Sequence, residues 1–274
     1  MTLLASWVGV DTHGTTSAYI VSDSRFSWDD IRRYNFGRKV FASTRYPEIF
    51  GYAGDVLFPS TVLAQLLQMI DSDLLFNWSM TCEQKHEIVY QKLVSSFNEY
   101  PTACANKNIQ IVHISRDTIN ERYPVFSCYL FSWSNGGWSA IKKNIPEESG
   151  IFIKLGPKSA RSEFEERYKG YQSGNNRSTS RNVFHCFVDT LVNIKDHTCG
   201  GAPQLVGLYR KPKSSGINFG ILYRGKRYFL GSELTGEVSY DKIQWRNELF
   251  EICDGTTGEI AKDAMRQPAS HGKM

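Results

Sequence analysis

Two apolar runs near the start of the chain, Leu3 to Val10 and Ala18 to Val21, flank the turn-rich segment Asp11-Thr12-His13-Gly14-Thr15-Thr16. Apolar, β-branched runs joined by a short polar turn with glycine read as an antiparallel hairpin. The chain therefore opens with a two-stranded unit, ending at Asp23-Ser24-Arg25, that later strands must join. Ahead of it stands Met1-Thr2, and a small residue after an initiator methionine is the usual condition for its removal. Thr2 would then begin the mature chain. An N-terminal threonine unites a hydroxyl nucleophile with an α-amine of ordinary pKa about 7.7–8.0, able to act as its base near neutral pH. Many chains begin Met-Thr and make no such use of it, so the rest of the sequence decides.

With 274 residues, 41% of them hydrophobic and 13% aromatic, the chain has material for one large core. It contains no run of about 18 apolar residues, and Leu3 to Val10 lacks the basic flank of a secretory signal. Neither membrane span nor export is indicated, which places the protein in the cytoplasm. The six cysteines are scattered, without a CxxC pair or a His/Cys cluster at zinc spacing, so reduced thiols are expected and no metal or organic cofactor is called for. The net charge of +4 is spread in short pairs such as Arg210-Lys211, which does not imply nucleic acid.

Along the chain, Phe26 to Asn35 reads as a loop and Arg38 to Phe41 as the start of a short strand. Ile49 to Asp55 reads as a strand entering a tight glycine turn, before helices at Thr61 to Ile70 and about Glu83 to Tyr100. Strands follow at Ile109 to Ile114, Pro124 to Trp133 and Trp138 to Lys142, the last two joined by a turn at Asn135-Gly136-Gly137. After Ile151 to Leu155 come helices at Ser159 to Tyr171 and about Arg181 to Lys195, then strands at Leu205 to Tyr209, Ile217 to Tyr223 and Arg227 to Leu230. The order is strands, two helices, strands, two helices, strands. It fits an α+β fold of two sheets packed between two helix pairs, one domain over residues 1–253 with a polar, disordered tail over 254–274.

Four separated motifs then share an order. Thr2 leads across the hairpin to Asp23-Ser24-Arg25, and Lys39 lies sixteen residues beyond Asp23, followed by Val40. Gly51-Tyr52-Ala53-Gly54 precedes a helix, and Asp196-His197-Thr198-Cys199-Gly200-Gly201 follows one. In these features the sequence resembles the proteasome β-subunit and HslV-like branch of the N-terminal nucleophile (Ntn) hydrolases. The resemblance implies a four-layer αββα sandwich in which an N-terminal threonine cleaves peptide bonds. It implies that Thr2 is the nucleophile, that Lys39 held by Asp23 lowers the pKa of its amine and hydroxyl, and that Gly54 offers a backbone N–H to the oxyanion. Asp196 would orient the amine of Thr2, Cys199 stands where the family has a serine, and Tyr52 with Ala53 would line the substrate pocket. The sequence departs from the family in Leu3 and Leu4 after the nucleophile, in a longer hairpin, and in Gly156-Pro157-Lys158-Ser159 where the family has Gly-Ser-Gly.

The leading expectation is thus a threonine-type peptidase acting on peptide or protein substrates within a homo-oligomeric ring, with an ATPase or activator as a compatible partner. A different class of reading is a catalytically inactive proteasome-like subunit used for assembly or partner binding. A third makes Cys199 a nucleophile with His185 or His197.

Overall fold

The structure, a computed structural model, describes residues 2–29, 31–101, 108–117, 124–134, 136–174, 176–211, 213–236, 239–262 and 264. The opening hairpin forms from β1 (Leu4–Asp11) and β2 (Gly14–Ser22), with Leu4 opposite Ser22. Phe26 to Asn35, expected as a loop, contains a small hairpin of β3 (Phe26–Ser27) and β4 (Arg33–Tyr34). Its turn is held by Asp29 Oδ1, which accepts the backbone N–H of Ile31 at 3.0 Å and of Arg32 at 2.6 Å. Next come β5 (Val40–Ala42), β6 (Glu48–Gly54), α1 (Leu57–Asp71) and α2 (Cys82–Asn98). They are followed by β7 (Ile109–Arg116), β8 (Phe126–Ser134), β9 (Gly137–Lys143) and β10 (Gly150–Leu155). After α3 (Lys158–Tyr171) and α4 (Ser180–Asn193) come β11 (Gln204–Tyr209), β12 (Ile217–Tyr223) and β13 (Lys226–Phe229). The two-residue strands β14 (Ser232–Glu233), β15 (Trp245–Arg246) and β16 (Ile252–Cys253) are too short to show a period and were not legible in the sequence.

One sheet runs β5-β6-β7-β8-β9, all antiparallel. The larger runs β10-β1-β2-β11-β12-β13-β14, with β15 parallel to β12 and antiparallel to β16. Two long-range pairings fix the site. β10 returns to β1 with Leu155 opposite Leu4, and β11 joins β2 with Gln204 opposite Ser22. Because side chains alternate along a strand, the apolar run of β1 is divided between two cores. Leu3, Ala5 and Trp7 pack with Phe164, Phe184 and Phe187 of α3 and α4, whereas Leu4 and Val8 pack with Ile49, Ala53 and Val112 of the other sheet. The opposite face of that sheet, through Phe50, Tyr52 and Ile111, meets Leu63, Leu66, Val89 and Leu93 of α1 and α2.

α1 starts at Leu57, earlier than its apolar period suggests, and Pro59 lies in its first turn, where a missing N–H costs little. α2 is opened by a reciprocal Thr81–Gln84 capping box. Beneath α2 lies a buried polar cluster. Glu48 Oε1 accepts from Lys85 Nζ at 2.8 Å and Ser115 Oγ at 2.9 Å, while Glu48 Oε2 lies 2.9 Å from His113 Nε2. His113 Nδ1 in turn meets His86 Nδ1 at 2.8 Å. At the same end of β7, buried Arg116 donates to the carbonyls of Tyr209, of Lys211 at 2.5 Å and of Ser214 at 2.8 Å, fastening the β11–β12 connection to the smaller sheet.

Hydrogen-bonded turns continue past 253, where a polar tail was expected. Asp254 N donates to Glu259 O at 2.8 Å, Ala261 N to Ile252 O at 2.9 Å, and Arg227 Nε to Gly255 O at 2.5 Å. Residues 263 and 265–274 of that tail, and Asn135 of the expected turn, lie outside the described residues. Among the described residues no helix is long and apolar enough to cross a membrane.

Candidate functional site

Thr2 sits just before β1, fully buried, and its Oγ1 has no hydrogen-bond partner among the described residues. The β10–β1 pairing delivers Gly156 and Pro157 beside it, and the C-terminal end of β6 brings Ala53 and Gly54. The start of β7 adds Asn108 and Gln110, and these seven residues line a cavity of about 410 Å³. Two of its glycines are required. Gly156 has φ +131°, and a Cβ there would lie 2.3 Å from the carbonyl oxygen of Thr2. Gly54 has φ +98°, and a Cβ there would lie 1.8 Å from Asn108 O, which accepts the Asp55 N–H at 3.0 Å. Backbone in this region with such close neighbours admits only glycine.

Behind the cavity the two sheets bring Asp23, at the end of β2, to Lys39, just before β5. Asp23 Oδ1 accepts from Lys39 Nζ at 2.8 Å and from Leu3 N at 3.1 Å. Its Oδ2 accepts from Gly200 N at 2.8 Å and Arg25 N at 3.3 Å. One carboxylate thus ties the peptide nitrogen that follows Thr2, the ammonium and the glycine turn. A buried ion keeps its charge only when its lone pairs are used in this way. Gln204 completes the frame: its Oε1 accepts Lys39 N at 3.0 Å, and its Nε2 donates to Asp23 O at 3.0 Å and Gly37 O at 2.8 Å. Arg25 clamps the turn from outside, donating to His197 O at 2.9 Å and Cys199 O at 3.1 Å.

Asp196, in the turn after α4, is engaged by its neighbours. Its carboxylate accepts from the Ser159 hydroxyl, from Thr198 Oγ1 at 2.5 Å and from Thr198 N at 3.0 Å. Partial burial opposes its ionisation, but the Ser159 and Thr198 hydrogen bonds prevail and hold the carboxyl below its usual range. Ser159 lies in the first turn of α3, so this contact links the Gly156-Pro157 turn to the glycine turn after Asp196.

Cys199 is fully buried in the core beside α4, and burial pushes its thiol well above the ordinary range. A neutral, enclosed thiol is not a nucleophile. His185 packs its ring on Tyr171 and faces Asp189 at 4.0 Å. Tyr52 differs from its expected place. Alternation along β6 turns it to the helix side, where its ring lies beside Phe41 and its hydroxyl donates to Arg38 O at 3.1 Å, while Ala53 faces the cavity. Gln204, Asn108 and Gln110 were not singled out in the sequence. The available signal was a polar residue heading or interrupting an apolar run, Gln204 before Leu205 and Gln110 within Ile109 to Ile114. Among the described residues no group of His, Cys, Asp and Glu side chains is placed to hold a metal ion.

The fold can be compared with solved structures. The chain is similar to Anbu (ancestral beta-subunit) from Yersinia bercovieri, at 10% identity over 84% of this chain and 87% of that one, with a TM-score of 0.52. It is also similar to the chain in the helical assembly of the Anbu complex from Pseudomonas aeruginosa, at 13% identity over 87% and 89%, with a TM-score of 0.54. No protein-family model and no curated protein matches the sequence. These findings correct the assignment to the proteasome β-subunit and HslV-like branch: the similar structures are Anbu chains. Two of the four motifs behind that assignment, Gly51 to Gly54 and Asp196 to Gly201, are short glycine turns, and tight turns of this kind impose similar residues on many chains. At this identity the likeness is one of fold, a mixed arrangement of antiparallel sheets and helices shared with Anbu.

Proposed function

We propose that this chain is a threonine-type peptide-bond hydrolase whose nucleophile is Thr2, freed by removal of Met1. The observation that carries the reading is the unpartnered Thr2 hydroxyl at the wall of a 410 Å³ cavity, backed by the Asp23–Lys39 pair. Thr2 Oγ attacks the scissile carbonyl while the α-amine of Thr2 takes its proton. The amine product leaves with a proton, an ester to Thr2 remains, and water cleaves that ester to a carboxylate and the free hydroxyl. Lys39, fixed by Asp23, supplies the positive charge that favours the alkoxide and keeps the amine unprotonated. The Gly54 N–H is assigned to the oxyanion, and Ala53 forms the adjoining wall. Asp196 acts through Ser159 as a positioning residue, and Cys199 is the filler beneath the glycine turn.

In this reading the sheets and helices form a four-layer αββα sandwich, residues 1–253 are one catalytic domain, and the protein works in the cytoplasm on peptides or proteins. A homo-oligomer is proposed because the Anbu chain from Pseudomonas aeruginosa forms a helical assembly; an ATPase or activator is a compatible partner. A second reading, a catalytically silent assembly subunit, draws on the β3–β4 hairpin, where Trp28 is 66% and Ile31 87% exposed. Intact mass before and after treatment with a β-lactone directed at N-terminal threonine separates the two. Loss of Met1 with an adduct on Thr2 supports the hydrolase, and retained Met1 with no adduct supports the silent subunit.

A further inference from the structure

The cavity beside Thr2 carries chemistry that hydrolysis itself does not use. In the β6–β7 register Gln110 lies opposite Ala53, and in the β7–β8 register it lies opposite Ser132. Its neighbours Ile109 and Ile111 belong to the core under α1 and α2, so alternation turns Gln110 to the other face, where it lines the cavity. Asn108, two residues earlier, lines the same cavity. Neither side-chain amide has a hydrogen bond among the described residues.

A carboxamide offers one acceptor oxygen and two N–H donors, a set that another primary carboxamide matches reciprocally. The remaining lining residues, Thr2, Ala53, Gly54, Gly156 and Pro157, carry no charged side chain. A charged substrate side chain entering here would lose water without gaining a counter-ion, and an apolar one would strip water from Gln110 without replacing its hydrogen bonds. Resting on the threonine-hydrolase reading, we infer that Gln110, seconded by Asn108, selects substrates with a glutamine or asparagine at the residue whose carbonyl Thr2 attacks.

The test is a set of fluorogenic peptides identical except for Gln, Asn, Leu, Arg or Glu at that residue, given to the parent protein and to Gln110→Leu. Labelling of Thr2 by a small β-lactone runs in parallel as a measure of whether the nucleophile is assembled. The parent should favour Gln over Leu in kcat/KM by roughly tenfold or more, as expected where a site built for hydrogen bonding meets a substrate lacking them. Gln110→Leu should reverse the order. Gln110→Glu, which keeps the shape but replaces donors by charge, should also lose the Gln preference and serves if the leucine variant does not fold. Labelled protein that prefers Leu, Arg or Glu, cleaves none of the series, or keeps its preference in the variants overturns the selectivity while sparing the nucleophile. Absence of both labelling and cleavage in the parent overturns the threonine reading and the selectivity with it.

Discussion

Asp23 and Lys39 form an ion pair of 2.8 Å from which solvent is wholly excluded. Removing one member leaves the other buried without compensation, a loss of about 3–5 kcal/mol. Lys39→Met is therefore expected to abolish hydrolysis and also to lower the urea midpoint, and Asp23→Asn to do the same. The double variant Asp23→Asn with Lys39→Met should regain stability relative to Lys39→Met alone, but no activity. A double variant no more stable than the single one would show that the pair is not electrostatically coupled.

Gly156 supports Thr2 by what it lacks. Gly156→Ala would press a methyl group on the Thr2 carbonyl, 2.3 Å away, in backbone that disfavours any side chain. A cost of at least about 2 kcal/mol is expected, with loss of β-lactone labelling. Gly137→Ala, which meets nothing within 4 Å, is the control and should unfold like the parent in thermal melts.

The Glu48–Lys85–His113–His86 cluster ties stability to pH. Burial, with the charge of neighbouring His113, drives His86 down to about 2, and burial with Lys85 holds His113 well below its usual range. Lys85 already compensates Glu48, so a further proton here would be unbalanced. Glu83 and Lys142 act on His86 in opposite senses. Both histidines are depressed in the folded state, so below about pH 6.5 the unfolded chain binds protons that the native one refuses, and stability falls with pH. The slope approaches about 1.4 kcal/mol per pH unit for each histidine. Glu48, raised by burial, takes up its proton above the ordinary carboxylate range and there acts in the opposite sense. Urea unfolding between pH 7.5 and 5 should show the decline, and His86→Leu should flatten it; an unchanged slope in that variant would remove the cluster as its source.

Ser159 is one of the donors that hold the Asp196 carboxyl below its usual range. In Ser159→Ala the Asp196 pKa, now below its ordinary value, should move upward, because a stabilising donor is lost while burial remains. Carboxyl NMR titration reads the shift directly. Should hydrolysis depend on this turn, the acid limb of its pH profile should move upward with it.

The hairpin, the four helices and the long strands were legible because each carries a period of its own. Tyr52 and Ala53 were both expected to line a pocket, but alternation along β6 turns only Ala53 to the cavity, since a buried strand with two apolar faces does not say which face meets it. Asp23 and Lys39 were legible through their spacing and are paired. Asp196 was found in its expected turn, yet its partner Ser159 depends on how α3 is set against the turn after α4, which only tertiary packing decides. Gln204 and Gln110 were hidden for a related reason: a lone polar residue at a strand end has no periodicity to announce it.

Arg116 gives the molecule an asymmetry along its strands. It stands at the end of β7 remote from Asn108 and Gln110, and its guanidinium staples the loop between β11 and β12 of the larger sheet onto the smaller one. At the opposite end, beside Gly54, the Asp23–Lys39 pair and the hydrogen bond from Lys39 N to Gln204 join the same two sheets, so they are fastened at both ends by different chemistry. Opening the cleft by rotating one sheet against the other would break one of these buried charged contacts, so the walls beside Thr2 are held from both edges of the protein.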